Sequence, residues 1–400
     1  MERRGGDWNT SEQVTIELKL PQDGSLRNLL LYEGLLFTLQ EVPPTQWTDI
    51  PHRRLTITRS DLISALEKCE EGEKIKSLNI SIVGKNDRES VLRLLSSLGI
   101  EGKKEEKLTK YGDIIGVILE NRRNIRISHR IDLSATIKRK KVLIGLTDVG
   151  ELGRSGIALQ LFKTERYTGF TSTEHPYTTE QLTVYMSPEA TLIALLGLYS
   201  SFITTSDNIH YMLFFSPEEV DSILAGDKNV RTMFIIKKQA KDILADIIQK
   251  KYSEELIVVE TILNTKIQEA MSQHNIKSIS LILLKLAREG QTYKIYQQLP
   301  LNFYKRESPA IWQLIAKVLS PSEVILSRLA KNDNVEYNNL LSAINGFFRY
   351  VVLGDRWGLY LAIRELQHAY IKVSSDEKTR NVAQRYLRLL KSLQDLATQL

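Results

Sequence analysis

The stretch RRLTITRSDLISALEKC, residues 53–69, decides how the first half of the chain folds. Its first part alternates apolar and polar side chains, as in a strand with one buried face. Its second part spaces apolar residues three and four apart, which is typical of an amphipathic helix. Thr58 and Asp61 lie where the pattern changes, and their spacing predicts a capping box. A strand that leads directly into a helix indicates a mixed α/β domain.

Neighbouring segments repeat this unit. SLNISIVGKNDRESVLRLLSSLGI (77–100) predicts a strand and then a helix that stops at Gly99. VTIELKL (14–20) predicts a half-buried strand, and LRNLLLYEGLLFTL (26–39) predicts a buried helix. Four further strands are predicted in DIIGVILE, NIRIS, KVLIGL and IALQLF. We therefore expect a mixed α/β domain over residues 1–185.

Beyond residue 185, apolar residues recur at the three- and four-residue spacing that is typical of helices. Helix starts with a serine directly before a proline occur at positions 187, 216 and 320. HYMLFF (210–215) predicts one last strand, and about eight helices are expected in residues 217–400. The predicted fold class is α+β, with the mixed α/β domain followed by a mainly helical bundle domain over residues 186–400.

Composition narrows the class of protein. The 400 residues are 42% hydrophobic and 26% charged, as in a chain folded throughout. Cys69 is the only cysteine, which excludes an intramolecular disulfide and a thiolate-rich zinc site. The start MERRGGDWNT has no apolar core, and no apolar run is long enough to cross a bilayer, so we expect a soluble cytoplasmic protein. Abundant Ile, Leu, Lys and Glu suit a thermophile. No cofactor or metal is expected.

Positive charge is concentrated between Asn121 and Lys141, although the net charge of the chain is only +6. Asp132 is the only acid in this basic run. Its cations could neutralise several phosphates of a nucleic acid. The alternative is a solvated strand face and hairpin turn; we favour nucleic-acid contact because a solvated face would mix charges of both signs.

The segment GLTDVGELGRSG (145–156) follows the basic run. Glycines allow close backbone approach, so exposed N–H groups could bind phosphates. The segment is not a Walker loop, because Glu151 follows Gly150 where the motif needs lysine. A flexible hairpin loop is the alternative interpretation.

Aromatic and basic residues also mix in FKTERYTGF (162–170) and NFYKRESPAIW (302–312), a combination that suits base stacking but more often belongs to a core. Further cations of the helical half, including Arg380, Arg385 and Arg388, are expected on solvated faces; the alternative is that one face of the bundle lines a nucleic-acid groove. The candidate nucleic-acid-binding residues are Arg122, Arg123, Arg126, Arg130, Lys138, Arg139, Lys140, Lys141, Gly150, Gly153, Arg154, Lys163 and Arg166.

RNIRISH (123–129) resembles the Arg-polar-x4-His motif of the helical HEPN ribonucleases, which implies Arg123 and His129 as an alternative RNA-cleaving pair. In that family the motif lies at a helix end, whereas Ile125 and Ile127 alternate here as in a strand. Other catalytic motifs are missing, and we expect no enzyme.

From about Val142 onward the chain has a basic, glycine-interrupted β region, then YMSPEATLIALLGLYSS and YMLFFSPEEVDSIL, and then a helical half with LLKLAREGQTYKIYQQLPL. This series resembles the large subunit of the archaeal type I-A CRISPR surveillance complex (Cascade). The resemblance implies a non-catalytic subunit that helps read the protospacer-adjacent motif and engage target DNA. Its implied partners are guide RNA, target DNA, and the backbone, small and helicase-nuclease subunits. A protein-interaction scaffold without nucleic-acid contact is a further alternative.

Overall fold

A computed structural model describes residues 12–21, 24–42, 54–70, 74–101, 108–139, 141–163, 183–249, 257–258, 261–262, 264–290, 292–305, 328, 334–375 and 379–399. The chain divides into two compact units, Met1–Phe234 with Ser280–Pro300 and Ile235–Ile279 with Leu301–Leu400. The fold class is α+β, as predicted, with mixed sheets and helices first and helices last.

The elements up to the second sheet follow in chain order. They are β1 (Gln13–Lys19), α1 (Leu26–Thr38), β2 (Arg54–Thr58), α2 (Arg59–Glu70), α3 (Lys74–Ser77), α4 (Gly84–Ser97), α5 (Tyr111–Glu120), β3 (Arg130–Lys138), β4 (Lys141–Ile144), β5 (Thr183–Met186), α6 (Pro188–Ser201), β6 (Phe202–Ser206) and β7 (Ile209–Phe215). The remaining elements are α7 (Pro217–Leu224), α8 (Val230–Gln249), α9 (Thr265–Gln273), β8 (Ser278–Glu289), β9 (Thr292–Tyr304), α10 (Tyr337–Leu353), α11 (Arg356–Ser374) and α12 (Arg380–Gln399).

The first sheet has the strand order β2-β1-β3-β4-β5. Strand β3 changes partner along its length: residues 130–134 pair in parallel with β1, and residues 135–138 pair antiparallel with β4. Ile131 and Leu133 of β3 are buried in the core. One end of β3 is therefore fixed inside the sheet, while the other end leads into a hairpin.

The predicted helix starts are confirmed. The backbone N–H of Thr58 donates to the Asp61 carboxylate over 2.6 Å, and the N–H of Asp61 donates to the Thr58 hydroxyl over 3.2 Å. Ser187 accepts from the N–H of Ala190 over 3.1 Å, and Ser216 caps α7 in the same way. These hydroxyls and carboxylates satisfy N–H groups that have no partner within their helices. The start predicted at position 320 lies outside the described residues.

Helices α1 and α6 cross at a glycine pair in the first unit. A Cβ on Gly34 would lie 1.8 Å from the carbonyl oxygen of Ile193, and one on Gly197 would lie 1.9 Å from that of Leu30. No side chain fits such distances, so the two glycines let the backbones meet directly. Both helices are almost wholly buried.

Several predicted elements were wrong. DIIGVILE forms most of helix α5 rather than a strand. Its buried apolar residues lie on one face of that helix. NIRIS does not form a strand, and IALQLF forms one isolated bridge and a 3-10 turn. A run of apolar residues this short cannot separate a buried helix from a buried strand, so tertiary packing decides.

The largest correction concerns residues 278–304, predicted as part of a helical half. They form the long strands β8 and β9, which complete a second sheet of order β6-β7-β8-β9. Strand β8 is buried on both faces over much of its length, which hides the two-residue alternation of a strand. The contacts of α6, β6 and β7 place them in the first unit, which extends to Phe234 instead of ending at residue 185.

The second unit contains the helices α10, α11 and α12. A Cβ on Gly346 of α10 would lie 2.6 Å from the carbonyl oxygen of Gly358, and one on Gly358 would lie 2.5 Å from that of Gly346. Helix α12 adds Tyr386, Leu390 and Leu393 to the core. The three helices lie within the region that the sequence predicted as mainly helical.

Candidate nucleic-acid interface

The β3–β4 hairpin carries cations at its tip. Lys138 and Lys141 are directly paired across the hairpin, and Arg139 begins the two-residue turn with φ +47°. Turns of this kind favour Gly, Asn or Asp, because other residues are strained at positive φ. Like charges directly opposite each other in a strand pair also destabilise the pair. Backbone and pairing preferences therefore do not explain the basic residues at the tip.

The tip is joined to the glycine-rich segment that follows β4. The Lys138 ammonium donates to the carbonyl oxygen of Thr147 over 2.7 Å. The Lys141 ammonium lies 5.5 Å from the ring centroid of Tyr185. A small apolar cluster packs beneath the segment: Leu143, Leu146 and Leu152 with Val149 and Tyr185. We call the set Lys138, Arg139, Lys141, Gly150, Gly153 and Arg154 the hairpin–loop surface.

Helix α4 holds the far end of the glycine-rich segment with three side chains spaced three residues apart. The Asp87 carboxylate accepts from the N–H of Gln160 over 3.0 Å. The Ser90 hydroxyl donates to the carbonyl oxygen of Ala158 over 3.1 Å. Arg93 donates to the carbonyl oxygens of Leu152 and Gly156 over 3.1 and 2.8 Å. The segment is therefore fixed to a helix, and it is not the strand-to-strand hairpin loop of the alternative interpretation.

Asp87 is the most buried of these three side chains. Burial raises its pKa to about 6, although the N–H groups of Gln160 and Val83 favour the charged carboxylate. Burial lowers the pKa of Lys163, and the Asp87 carboxylate opposes that shift. Lys163 is thus half-buried near Asp87, whereas the sequence predicted it as a nucleic-acid-binding residue.

The four glycines of the segment fall into two pairs. Gly145 has φ +67°, and a Cβ there would lie 2.4 Å from the carbonyl oxygen of Asp132; a Cβ on Gly156 would lie 2.9 Å from Leu152. Gly150 and Gly153 have no positive φ, and no atom lies within 4 Å of a Cβ added to either. The fold therefore requires glycine at positions 145 and 156. Gly150 and Gly153 are exposed, and no steric contact requires glycine at either position.

The opposite end of the basic run is balanced by carboxylates. Arg130 donates to Glu17 over 2.7 Å, and Arg54 lies 3.4 Å from the same carboxylate. Chiefly through its hydrogen bond, Arg130 holds the pKa of Glu17 below its usual value. Arg122 lies 3.6 Å from Glu67. These cations stabilise contacts of the fold itself.

The fold therefore splits the basic run. Eight residues of extended strand separate Arg130 from Lys138, which is about 26 Å. Between these ends, Arg123 is exposed on a 3-10 turn after α5, and the exposed Arg126 side chain lies against Gly99. Among the residues that the structure describes, no carboxylate forms an ion pair with any cation of the hairpin–loop surface. Lys140 and Arg166 lie outside the described residues.

His129 of the HEPN-like pattern lies directly before β3, in a mixed sheet instead of an all-helical fold. Its Nε2 atom is 3.1 Å from Glu12. Within the described ranges, no group of three or more His, Cys, Asp or Glu side chains is placed to hold a metal ion. No helix in the same ranges is long and apolar enough to cross a membrane.

Sequence reasoning missed the residues that shape this site. Glu17 and Glu67, which neutralise the balanced end, carry no local signal, because their partners are distant in the chain. The α4 anchor had a weak signal: Asp87, Ser90 and Arg93 lie on one helix face, as residues three apart do. A polar stripe on a helix predicts contact but does not identify the segment contacted.

Comparison with known proteins identifies an archaeal relative. An uncharacterized protein of Archaeoglobus fulgidus is 35% identical over 404 residues, which covers 95% of this chain and 99% of that protein. This chain belongs to the family of that archaeal protein. No family model and no solved structure matches the chain. The match spans nearly both full lengths and therefore covers most residues of both compact units of this chain.

Proposed function

We propose that this protein is a non-catalytic nucleic-acid-binding subunit of an RNA-guided antiviral (CRISPR) complex and contacts nucleic-acid backbone through the hairpin–loop surface. The observation that carries this proposal is the set of cations at the hairpin tip, which have no carboxylate partner among the described residues and lie beside glycines that the fold does not require. Unbalanced cations next to an open backbone suit phosphate oxygens.

The placement of the cations supports a polyanion over a purely solubilising role. Arg139 occupies a turn position that favours glycine or asparagine, and Lys138 faces Lys141. Each choice costs stability, and such costs concentrate at functional positions. Ile137, 69% exposed beside these cations, adds an apolar side chain that could contact a base or sugar.

The assignment to a CRISPR complex rests on the sequence resemblance to the type I-A large subunit. In such complexes base pairing supplies sequence specificity, and protein contacts go to the backbone and to a short motif. A basic surface without a catalytic set suits that division. We further propose guide RNA, target DNA and the other complex subunits as its partners.

Salt-dependent binding tests the nucleic-acid contact. One variant combines Lys138→Gln, Arg139→Gln and Lys141→Gln; its matched control combines Lys85→Gln, Lys266→Gln and Lys277→Gln, three exposed lysines elsewhere. Fluorescence anisotropy with labelled duplex DNA and RNA measures the association constant K at several salt concentrations. In the tip variant, the decline of log K with log salt should become shallower by about 0.9 for each phosphate that its side chains no longer neutralise. Equal slopes for the two variants would contradict the proposal.

Purification from the native host tests the assembly. The tagged chain should retain RNA that consists of CRISPR repeat and spacer sequence, together with the backbone subunits. Retention of no such RNA, while the purified chain still binds duplex DNA, would overturn the CRISPR assignment and leave the nucleic-acid contact standing.

A further inference from the structure

Helix α11 carries a pair of exposed aromatic rings in the second unit. Trp357 is 77% exposed and Tyr360 is 53% exposed. Their ring centroids are 5.8 Å apart, with the ring planes tilted by 54°. Large aromatic side chains are mostly buried in folded proteins, where they contribute much apolar area. Two adjacent rings left in water therefore form a feature of the surface that needs an explanation.

The packing of α11 keeps these rings outside the core. Gly358, next to Trp357, meets the backbone of Gly346 in α10, and Leu359, Ala362 and Leu366 continue the buried face. The glycine contact fixes the rotation of the helix about its axis, since any larger side chain there would clash. Trp357 and Tyr360 are thus held on the outward face before any ligand arrives.

The same face is cationic. Arg356, Tyr360 and Arg364 follow one another at four-residue spacing, so the tyrosine ring lies between two guanidinium groups along the helix. Lys372 continues the face, and its ammonium donates to the Asn339 side chain over 2.8 Å, a neutral partner that leaves its charge unbalanced. Arg356 has no carboxylate partner among the described residues.

Exposed carboxylates are scarce among the described residues of α11 and α12. Glu365 is the only acid of α11; it is buried to 9% exposure and accepts from Asn339 over 2.8 Å and from Arg364 over 2.9 Å. Asp355, just before the helix, pairs with Arg349. The neighbouring α12 exposes Arg380, Arg385, Arg388 and Lys391, with Asp395 as its acid. Among the described residues of α11 and α12, exposed cations therefore outnumber exposed acids.

We propose that the outward face of α11 is a second nucleic-acid surface, which binds single-stranded DNA or RNA by stacking bases on Trp357 and Tyr360. Single strands present flat base faces and a continuous negative charge, and proteins bind them with exposed rings beside cations. A protein partner would also cover apolar area, but it would not by itself account for the scarcity of exposed acids. This surface does not depend on the hairpin–loop surface.

The test compares binding of labelled oligo-dT and oligo-rU by the full chain. The variant is Trp357→Ala with Tyr360→Ala; the control is Leu341→Ala with Leu353→Ala, which removes two exposed apolar side chains of α10 that have no ring. We expect the ring variant to bind about 10- to 100-fold more weakly and the control to bind unchanged. All proteins carry Lys138→Gln, Arg139→Gln and Lys141→Gln. Any remaining binding is therefore independent of these hairpin-tip cations, and the two surfaces are tested separately.

Tryptophan fluorescence distinguishes stacking of bases on Trp357 from binding through charge alone. Trp8, Trp47 and Trp312 are replaced by Phe, which leaves Trp357 as the reporter. Oligo-dT should quench its emission, whereas heparin, a polyanion without bases, should not. Unchanged affinity of the ring variant in the full-tryptophan background would overturn the proposal. Equal losses of affinity in the ring variant and the control would also overturn it, because oligonucleotide binding would then depend on apolar area and not on the rings.

Discussion

The two ends of β3 carry similar side chains in different surroundings. At the first end, Arg130 and Arg54 share the Glu17 carboxylate, which neutralises part of their positive charge within the chain. At the other end, Lys138 donates to a carbonyl oxygen and has no carboxylate partner among the described residues, and Arg139 lies at a strained turn position. The difference teaches that a basic sequence run is not one surface. Part of its charge stabilises the fold, and part remains available to a polyanion.

The largest effect should come from exchanging the two classes of glycine. Gly145→Ala forces a Cβ to within 2.4 Å of the Asp132 carbonyl oxygen at φ +67°, so we expect the free energy of unfolding to fall by about 3 kcal/mol. Gly150→Ala and Gly153→Ala should change it by less than about 1 kcal/mol, since both sites are open. Urea denaturation measures all three variants.

The exposed glycines, which matter least for stability, should matter most for DNA binding. Gly150→Ala and Gly153→Ala should weaken DNA binding without loss of stability if phosphate approaches their backbone closely. Normal affinity in both variants would show that these glycines only add flexibility, and that the loop half of the hairpin–loop surface has no role.

Arg139→Gly sharpens the comparison at a single position. Glycine adopts φ +47° without strain, so stability should rise by about 1 kcal/mol. Removal of the charge should weaken nucleic-acid binding by about threefold at moderate salt. Thermal unfolding and anisotropy, measured on the same preparation, check both signs. A variant with neither higher stability nor lower affinity would contradict this interpretation of the tip.

Glu17→Gln should reduce the difference between the two ends of β3, because it removes the carboxylate that pairs with Arg54 and Arg130. Without the carboxylate, Arg54 and Arg130 become available to phosphate, and affinity for DNA should rise by about twofold. Because the Glu17 pKa is lowered in the fold, its contribution to stability is present above the unfolded pKa and is lost as pH falls through the folded value.

The pH profile gives the control for this last variant. Between neutral pH and the folded pKa of Glu17, the parent protein should lose stability relative to Glu17→Gln, and denaturant midpoints at several pH values measure the difference. Parallel profiles would show that the ion pair with Arg130 contributes nothing.

Much of the fold could be predicted from local patterns. The capping pair Thr58 and Asp61, the proline after Ser187 and the strand HYMLFF all depend on neighbouring residues and were confirmed. The strands β8 and β9 were missed, because burial of both faces removes the alternation that marks a strand. Local spacing cannot report on a surface that covers an element from another part of the chain.

The sequence by itself determined where helices α2, α6 and α7 begin, where the basic run lies, and that Cys69 can form no intramolecular disulfide. Only the tertiary structure decided which cations are balanced. Glu17 and Arg130 stand 113 residues apart, and the parallel register of β1 with β3 brings them together. Ion pairs form through space, so a charge that looks unopposed along the chain is neutralised wherever the fold delivers a carboxylate.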